Sequence, residues 1–74
     1  MGLRANQLIK VRDGTIYQLI MSHGQVSIMK NVEDTTKPYV VTVGLRREVH
    51  NFYTWDHAEF FADAGKAAER FNEL

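Results

Sequence analysis

The sequence has no cysteine, a single proline and no long apolar run. Without cysteine the chain can form neither a disulfide framework nor a thiolate metal site, so 74 residues must rely on a packed core or on association with another chain. The apolar stretches are too short to cross a membrane or to form the hydrophobic segment of a signal peptide. The lack of cysteine is typical of cytoplasmic proteins, and we expect this location.

Patterns that indicate catalysis are also missing. Neither serine lies in a Gly-x-Ser-x-Gly turn, and no glycine-rich phosphate loop is present. His50 and His57 lie close to Glu48 and Asp56, but no spacing places two imidazoles on one face, so surface or capping histidines are favoured over metal ligands. We therefore predict a protein that is not an enzyme, with no catalytic residue, no metal site and no cofactor.

The composition is that of a folded chain, with 45% apolar residues and 11% aromatic residues. We expect residues 1–74 to form a single small domain. The net charge of zero conceals a separation of charge along the chain. Residues 1–47 hold seven basic and three acidic side chains, whereas residues 48–74 hold two basic and six acidic ones. Such asymmetry bears on how partners are oriented and not on the fold.

Residues 8–20 are predicted to form a β-hairpin. Two β-rich runs, 8–12 and 15–20, flank Asp13-Gly14, which favours a two-residue turn because both of its central residues need positive φ. That turn would set the cross-strand pairs Arg12–Thr15, Val11–Ile16, Lys10–Tyr17 and Leu8–Leu19.

A third strand is predicted at Gln25–Val32, after a reversal at Gly24. If His23-Gly24 is a second two-residue loop, Tyr17 faces Lys30, and one sheet face carries the core. The predicted core residues are Leu8, Leu19, Met21, Val26 and Ile28. A three-residue loop would instead invert the third strand, because a slip of one residue moves every side chain to the other face.

The remaining elements are a polar loop, two strands and a helix. The loop covers residues 33–38, Tyr39–Val43 is the strongest strand, and Val49–Tyr53 is a shorter fifth strand, so that all strands fall within 6–53. A helix is predicted at about 55–73, capped by Thr54 or Asp56. Its apolar face recurs at helical spacing through Phe60, Ala64, Ala67, Phe71 and Leu74.

This order predicts an α+β fold, in which an antiparallel β-meander of four to five strands is followed by one C-terminal α-helix packed on one sheet face. In this register the opposite face is too apolar to remain in water. We therefore predict self-association, as a homodimer, through that face. The residues concerned are Ile9, Val11, Ile16, Ile20 and Met29.

A second candidate site is a strip of basic and aromatic residues across three strands. Lys10, Tyr17 and Lys30 form one row in the predicted register, and the row can be extended by Arg12, Arg46 and Arg47. Cations with an aromatic ring on a sheet can bind single-stranded nucleic acid. One tyrosine and a pI near 6.8 count against this interpretation. The alternative is a solvated rim whose basic side chains protect the sheet edges from aggregation.

Trp55 lies with Phe52 and Tyr53 at the predicted junction between the last strand and the helix. Aromatic residues at such a junction usually anchor the helix to the sheet, and an exposed tryptophan would be an interface hot spot.

Two functions from different classes follow from these patterns. The first is a non-enzymatic protein-interaction module, which would be an accessory, adaptor or inhibitor protein that docks on a larger protein partner. Its small size and lack of motifs suggest a phage-encoded protein. The alternative is a single-stranded nucleic-acid-binding domain that uses a basic sheet face as a dimer. No membrane partner is expected.

Overall fold

The computed structural model describes residues 4–74, and of Val49 only the backbone. The elements in chain order are β1 (Leu8–Lys10), β2 (Ile16–His23), β3 (Val26–Asn31), β4 (Tyr39–Val43), β5 (Arg46–Arg47), β6 (Tyr53–Thr54), β7 (His57–Phe61) and α1 (Ala64–Glu73). A five-stranded antiparallel sheet has the strand order β1-β2-β3-β4-β7, and β5 pairs with β6 as a separate two-stranded sheet. The predicted fold class, an antiparallel sheet followed by one helix packed against it, is confirmed.

The first hairpin turns through three residues, 12–14, and not through the two that the sequence predicts. The Val11 amide donates to the Thr15 carbonyl oxygen at 3.0 Å, and Gly14 has a φ of 94°. A three-residue hairpin loop commonly ends in such a left-handed residue, which glycine adopts without steric cost. The predicted register is therefore wrong by one residue: Ile9 faces Tyr17, and Leu8 faces Gln18.

The second hairpin also differs from its predicted register. The two-residue loop follows His23, which faces Val26, and a β-bulge falls between Leu19 and Met21. As a result Leu19 faces Met29, a residue that the sequence placed on the opposite face. A bulge adds one unpaired residue to one strand, so it shifts the pairing of everything beyond it.

The fifth strand of the sheet is β7, in a segment that the sequence assigned to the helix. Each residue of β7 pairs with β4, so that Phe60 faces Val40 and Phe61 faces Tyr39. Alternation sends the two phenylalanines to opposite faces of the sheet. The helix is therefore Ala64–Glu73 and not about 55–73. The predicted fifth strand at 49–53 is instead a turn of residues 49–51 that leads into β6.

The N-cap of the helix is Asp63, which has an extended backbone and accepts a hydrogen bond from the Gly65 amide at 3.0 Å. Such an N-cap satisfies one of the free amides of the first turn. Helical spacing continues backwards as far as Phe60, but the cap shows where the helix starts. The apolar period therefore predicted the buried residues Ala67 and Phe71 correctly and the start of the helix wrongly.

The two faces of the sheet carry separate hydrophobic cores. On one side, which we call the helix-side face, α1 packs against β3, β4 and β7. Its core consists of Val26, Ile28, Val41, Ala67 and Phe71. The other side, which we call the covered face, has a core of Ile9, Tyr17, Leu19, Met29 and Val40. The predicted core residues Leu8 and Met21 belong to neither cluster and are exposed.

Residues 44–56, which we call the cover segment, leave the sheet after β4 and return before β7. Leu45, Tyr53 and Trp55 from this segment pack against the core of the covered face. The Trp55 and Tyr17 rings meet edge to face, with centroids 5.9 Å apart and planes at 76°. This geometry is a preferred one for aromatic pairs. The cover segment therefore does for this face what α1 does for the other.

The cover segment removes the premise of the predicted self-association surface. Ile9 and Met29 are fully buried by the chain itself, and Val11 packs at the border of the same core. Ile16 alternates with Tyr17 and lies on the helix-side face, and Ile20 is the unpaired bulge residue next to Met21, which lies on that face because it pairs with Ile28. The five residues do not share one open face, and a second copy is not needed to bury the core.

The two ends of the cover segment are held together by Gly44 and Asp56. The Asp56 amide donates to the Val43 carbonyl oxygen at 2.9 Å, and Arg46 donates to both the Gly44 carbonyl and the Asp56 carboxylate at 2.9 Å. Gly44 has a φ of 81°, and a Cβ at this position would overlap the Asp56 carboxylate. Glycine is therefore required where the chain leaves the sheet.

We expect Trp55→Ala to lower the free energy of unfolding by about 3 kcal/mol, because the cover segment loses its largest contact with the covered face. The control is Phe60→Ala, since Phe60 is 48% exposed and should cost less than about 1 kcal/mol. Urea denaturation of both variants measures the difference. If Trp55→Ala costs no more than the control, the cover segment does not stabilise the sheet.

His50→Gly should raise the free energy of unfolding by about 0.5–1 kcal/mol, because His50 holds a φ of 60° that glycine adopts without steric cost. Asn51 also has a positive φ, of 66°, but asparagine tolerates this region. Asn51→Gly is therefore the matched control, with a smaller gain. Equal melting temperatures for wild type and His50→Gly would contradict this expectation.

Glu59 of β7 and Arg70 of α1 form an ion pair between these two elements. Arg70 Nε lies 3.1 Å from both carboxylate oxygens, and His57 Nε2 lies 3.0 Å from one of them. Arg70, and to a smaller extent His57, lowers the pKa of Glu59 from its ordinary value of 4.5. A lowered pKa means that the pair stabilises the fold above that value and stops doing so as the pH falls through the folded-state pKa.

Glu59→Gln should therefore be less stable than the wild type near neutral pH, and the difference should disappear in acid, below the ordinary glutamate pKa of 4.5. Glu73→Gln is the control, because Glu73 has a single, more exposed contact with Arg70 at 3.4 Å. Its effect should be smaller at every pH. A Glu59→Gln deficit that stays constant from neutral pH into acid would show that the charge of Glu59 is not what stabilises the fold.

Candidate docking surface

The basic and aromatic row predicted from the sequence does not exist in the structure. Tyr17 lies in the core of the covered face, with its ring against Trp55. Lys10 faces Ile16 and Lys30 faces Gln18, so alternation places both lysines on the helix-side face. The prediction is wrong because both hairpins are shifted by one residue from the pairing that would align the three side chains.

Burial changes the ionisation of Tyr17 and the access to its ring. Loss of contact with water raises the pKa of the Tyr17 phenol, and the negative charges of Asp13 and Asp34 add to this effect. A tyrosine in this position is a packing residue with its ring face occupied. It offers no platform on which a nucleotide base could stack.

The two lysines each lie over an aromatic ring at the border of the sheet. Lys10 Nζ is 5.7 Å from the centre of the Phe52 ring, and Lys30 Nζ is 5.9 Å from that of Tyr39. Both lysines are exposed, so each contact is worth about 0.5–1 kcal/mol. Their ammonium groups remain accessible to a charged partner.

The three predicted arginines and Trp55 lie on or around the cover segment. Arg12 is 3.9 Å from Glu48, Arg46 is bound to Asp56, and Arg47 is exposed in β5. These cations are dispersed and do not extend a row with the lysines. Trp55 is half-buried and anchors the cover segment to the sheet, whereas the sequence predicted that it anchors the helix.

The sheet leaves one surface uncovered, on the helix-side face over β1 and β2. Helix α1 packs mainly over β3, β4 and β7, so β1 and most of β2 have no layer above them. We call this surface the open strip. Five large apolar side chains, each 42–62% exposed, belong to it. They are Leu8, Ile20, Met21, Val32 and Leu74.

The register places Leu8, Met21 and Val32 on the helix-side face, Ile20 is the unpaired bulge residue before Met21, and Leu74 lines one groove with Met21. Leu8 pairs with Gln18, and Met21 pairs with Ile28, which belongs to the core under α1. Val32 continues the ladder, because its amide donates to the Ile16 carbonyl oxygen at 3.3 Å. Among the side chains that the structure describes, one other large apolar residue is comparably exposed, namely Phe60, and it lies on the covered face. The exposed apolar surface is therefore concentrated on the open strip.

A groove of about 430 Å³ runs between the end of β2 and the C-terminal half of α1. It is lined by Met21, Ser22, His23, Phe71, Asn72 and Leu74. Ala68 lies one turn before Asn72 on the same side of the helix. Arg70 instead reaches β7, where it binds Glu59. The helix therefore turns a small, uncharged flank toward the open strip and keeps charged side chains on the other flank.

The strands under the open strip carry only positive charge, whereas Asp13, Glu33 and Asp34 lie in the loops at the same end of the sheet as Lys10 and Lys30. Strands β1, β2 and β3 contain no aspartate or glutamate, and their cations are Lys10 and Lys30. Both lysines lie toward the end of the strip that is remote from Met21 and Leu74, since they pair in the rows of Ile16 and Gln18. The strip thus has an apolar floor and two exposed lysines at one end, where the neighbouring loops also carry carboxylates.

Sequence reasoning did not identify the open strip. It assigned Leu8 and Met21 to the core and Ile20 to the opposite face. The exposure of these residues depends on the three-residue turn and on the bulge, and neither has a distinct sequence signal here. The charge asymmetry was the one sequence signal that indicated which half of the chain carries the open strip, because β1–β4 lie in the basic half.

A second cleft lies between the first turn and the loop after β3, and is lined by Asp13, Gly14, Thr15, Asn31, Glu33 and Asp34. Hydrogen bonds from Thr15 and Thr36 lower the pKa of Asp13 and of Asp34, respectively. Within residues 4–74 no group of three or more His, Asp or Glu side chains is arranged to hold a metal ion. In the same range no helix has the length and apolar character needed to span a membrane.

Comparisons with protein-family models, with curated proteins and with solved structures find no match to this chain.

Proposed function

We propose that the protein is a non-enzymatic docking module that binds a larger protein partner through the open strip, as an accessory, adaptor or inhibitor protein. The observation that carries this proposal is the collection of five exposed apolar side chains on one half of one sheet face. Small monomeric proteins rarely leave a contiguous apolar surface uncovered unless it binds something. The rest of the sheet is covered by α1 and by the cover segment.

The energetics suit a partner that contacts more than the apolar floor. Each of the five side chains has roughly half of its surface left to bury, which is worth on the order of 1 kcal/mol apiece. Association itself costs several kcal/mol in lost freedom. We therefore expect the partner to engage the bordering lysines and the groove beside α1 as well.

The separation of charge supports a defined orientation of docking. The strip lies in the half of the chain that is basic, and the acidic residues Asp56, Glu59 and Asp63 lie on the far side of the sheet, around β7. An acidic partner surface would be attracted to the strip and repelled from the far edge. This asymmetry favours one approach of the partner over the reverse one.

The remaining parts of the proposal rest on the sequence. The absence of cysteine supports a cytoplasmic location, and small size supports an accessory protein of the kind that phages encode. The homodimer predicted from the sequence is not part of the proposal, because the chain covers its own second sheet face. Nucleic-acid binding is not proposed either, because Tyr17 is buried.

The test is photo-crosslinking with a benzophenone amino acid placed at Met21, and at Thr35 as control. Both positions are exposed, but Thr35 lies in the loop after β3, away from the open strip. In host cells we expect one discrete protein adduct at Met21 and none at Thr35. Unlabelled wild-type protein should compete the adduct away in extracts, whereas a variant carrying Ile20→Gln and Met21→Gln should not.

Three results would reject the proposal. Equal adducts at both positions would mean that the strip has no special affinity. Loss of the adduct after nuclease treatment would identify nucleic acid as the ligand. An adduct formed with the protein itself would identify a homodimer.

A further inference from the structure

We infer that the occupant of the open strip is a single amphipathic α-helix of the partner, which lies beside α1 on the helix-side face and brings carboxylates to the end marked by Lys10 and Lys30. This inference rests on the proposed function, because it identifies what docks on the same surface.

The width of the sheet supports one further helix. Neighbouring strands lie about 4.8 Å apart, so five strands are about 19 Å wide. A helix with its side chains has a diameter of about 10 Å. Since α1 takes β3, β4 and β7, the space over β1 and β2 fits one helix and not two. The helix layer on this face of the sheet would then hold two helices.

The wall of this space is suited to a neighbouring helix. The flank of α1 that faces it presents Ala68 and Asn72, which are short and uncharged. Helices approach to 8–10 Å between axes when the side chains at the contact are small. The longer charged side chains of α1, such as Arg70 and Glu73, are on the other flank, where they bind each other and Glu59. No charged side chain of α1 therefore has to be displaced.

The floor favours a helix over an extended peptide. The exposed apolar side chains of Leu8, Ile20 and Met21 lie on the face of the sheet and not along the edge of β1. A peptide added as a strand would bind to a sheet edge through main-chain hydrogen bonds and leave this face exposed. An apolar helix stripe buries it.

A second copy of this chain would fit the strip poorly. The apolar residues of α1 are already committed, with Ala67 and Phe71 buried against the chain's own sheet. Two strips placed face to face in parallel would bring four lysines together, Lys10 and Lys30 from each copy, and an antiparallel arrangement would place the lysines of each copy over the apolar end of the other. Like charges at an interface oppose association. A helix from another protein avoids both problems.

Lys10 of β1 and Lys30 of β3 determine the charge that we expect on the partner helix. Asp13, Glu33 and Asp34 lie in the loops at this end, yet within residues 4–74 neither Lys10 nor Lys30 forms an ion pair, and the contacts of the two lysines with aromatic rings are weak. A partner carboxylate near each ammonium would add a charge-assisted hydrogen bond. The acidic side chains are therefore expected at one end of the bound helix.

The test uses synthetic helical peptides with the wild-type protein. β2 has eight residues and is about 26 Å long, which matches a helix of about 17 residues. The first peptide carries a leucine stripe and glutamates at one end. The second has the same stripe with lysines in place of the glutamates, and the third has the composition of the first in a scrambled order without a stripe. Binding is followed by amide chemical shifts in NMR titrations.

We expect the acidic peptide to bind and to shift the amides of β1, β2 and the C-terminal half of α1. The lysine peptide should bind at least about tenfold more weakly, and the scrambled peptide should not bind. Ile20→Gln with Met21→Gln should weaken the acidic peptide by at least about tenfold. Phe60→Gln is the matched control, because Phe60 is equally exposed but lies on the covered face.

The inference is overturned if the acidic peptide causes no shifts at millimolar concentration, if the scrambled peptide binds as well, or if the shifts lie around Phe60. It is also overturned if the free protein sediments as a dimer and the variant with Ile20→Gln and Met21→Gln sediments as a monomer. The photo-crosslink at Met21 separates these failures from that of the docking function. A specific protein adduct without peptide binding would retain docking and reject the helix.

Discussion

The packing of the cover segment on the covered face, with Trp55 against Tyr17 at its centre, is the interaction on which the rest of this small protein depends. A five-stranded sheet has two faces, and residues 4–74 contain one α-helix. Because residues 44–56 bury Ile9 and Met29, the helix is free to take the other face. A single chain thereby forms three layers, namely the cover segment, the sheet and α1. The side chains that bury the covered face come from the cover segment, which has little regular structure.

The class of fold could be predicted from the sequence, and so could the strands β2, β3 and β4 and the burial of Ala67 and Phe71. These features depend on local signals, namely β-branched runs and helical spacing. The boundary between the last strand and the helix could not be predicted, because Phe60 and Phe61 fit the apolar period of a helix as well as the alternation of a strand. The hydrogen bonds to β4 decide between them, and they join residues that are distant in the sequence.

The docking surface was beyond the reach of the sequence for a related reason. Asp13-Gly14 suits a two-residue turn, yet Gly14 serves as the left-handed end of a three-residue loop. The bulge at Ile20 then shifts the second hairpin. Each shift of one residue exchanges the faces of a strand, so Leu8 moved from the predicted core to the surface and Ile9 moved in the opposite sense. What the sequence did contain was the positive charge of β1–β4, which is independent of register.

The pairing of Val43 with His57 gives the cover segment a further meaning. These two residues are the last pair of an antiparallel ladder, so β4 and β7 form one hairpin, and residues 44–56 are its loop. The cost of closing a loop rises slowly with its length, so a hairpin of this kind tolerates loops of different sizes. The sheet and α1 thus form a frame into which the cover segment is inserted at Gly44 and Asp56. The cover segment can therefore change in length and sequence without any change in the order of the strands, provided that its apolar side chains still pack on the core of the covered face.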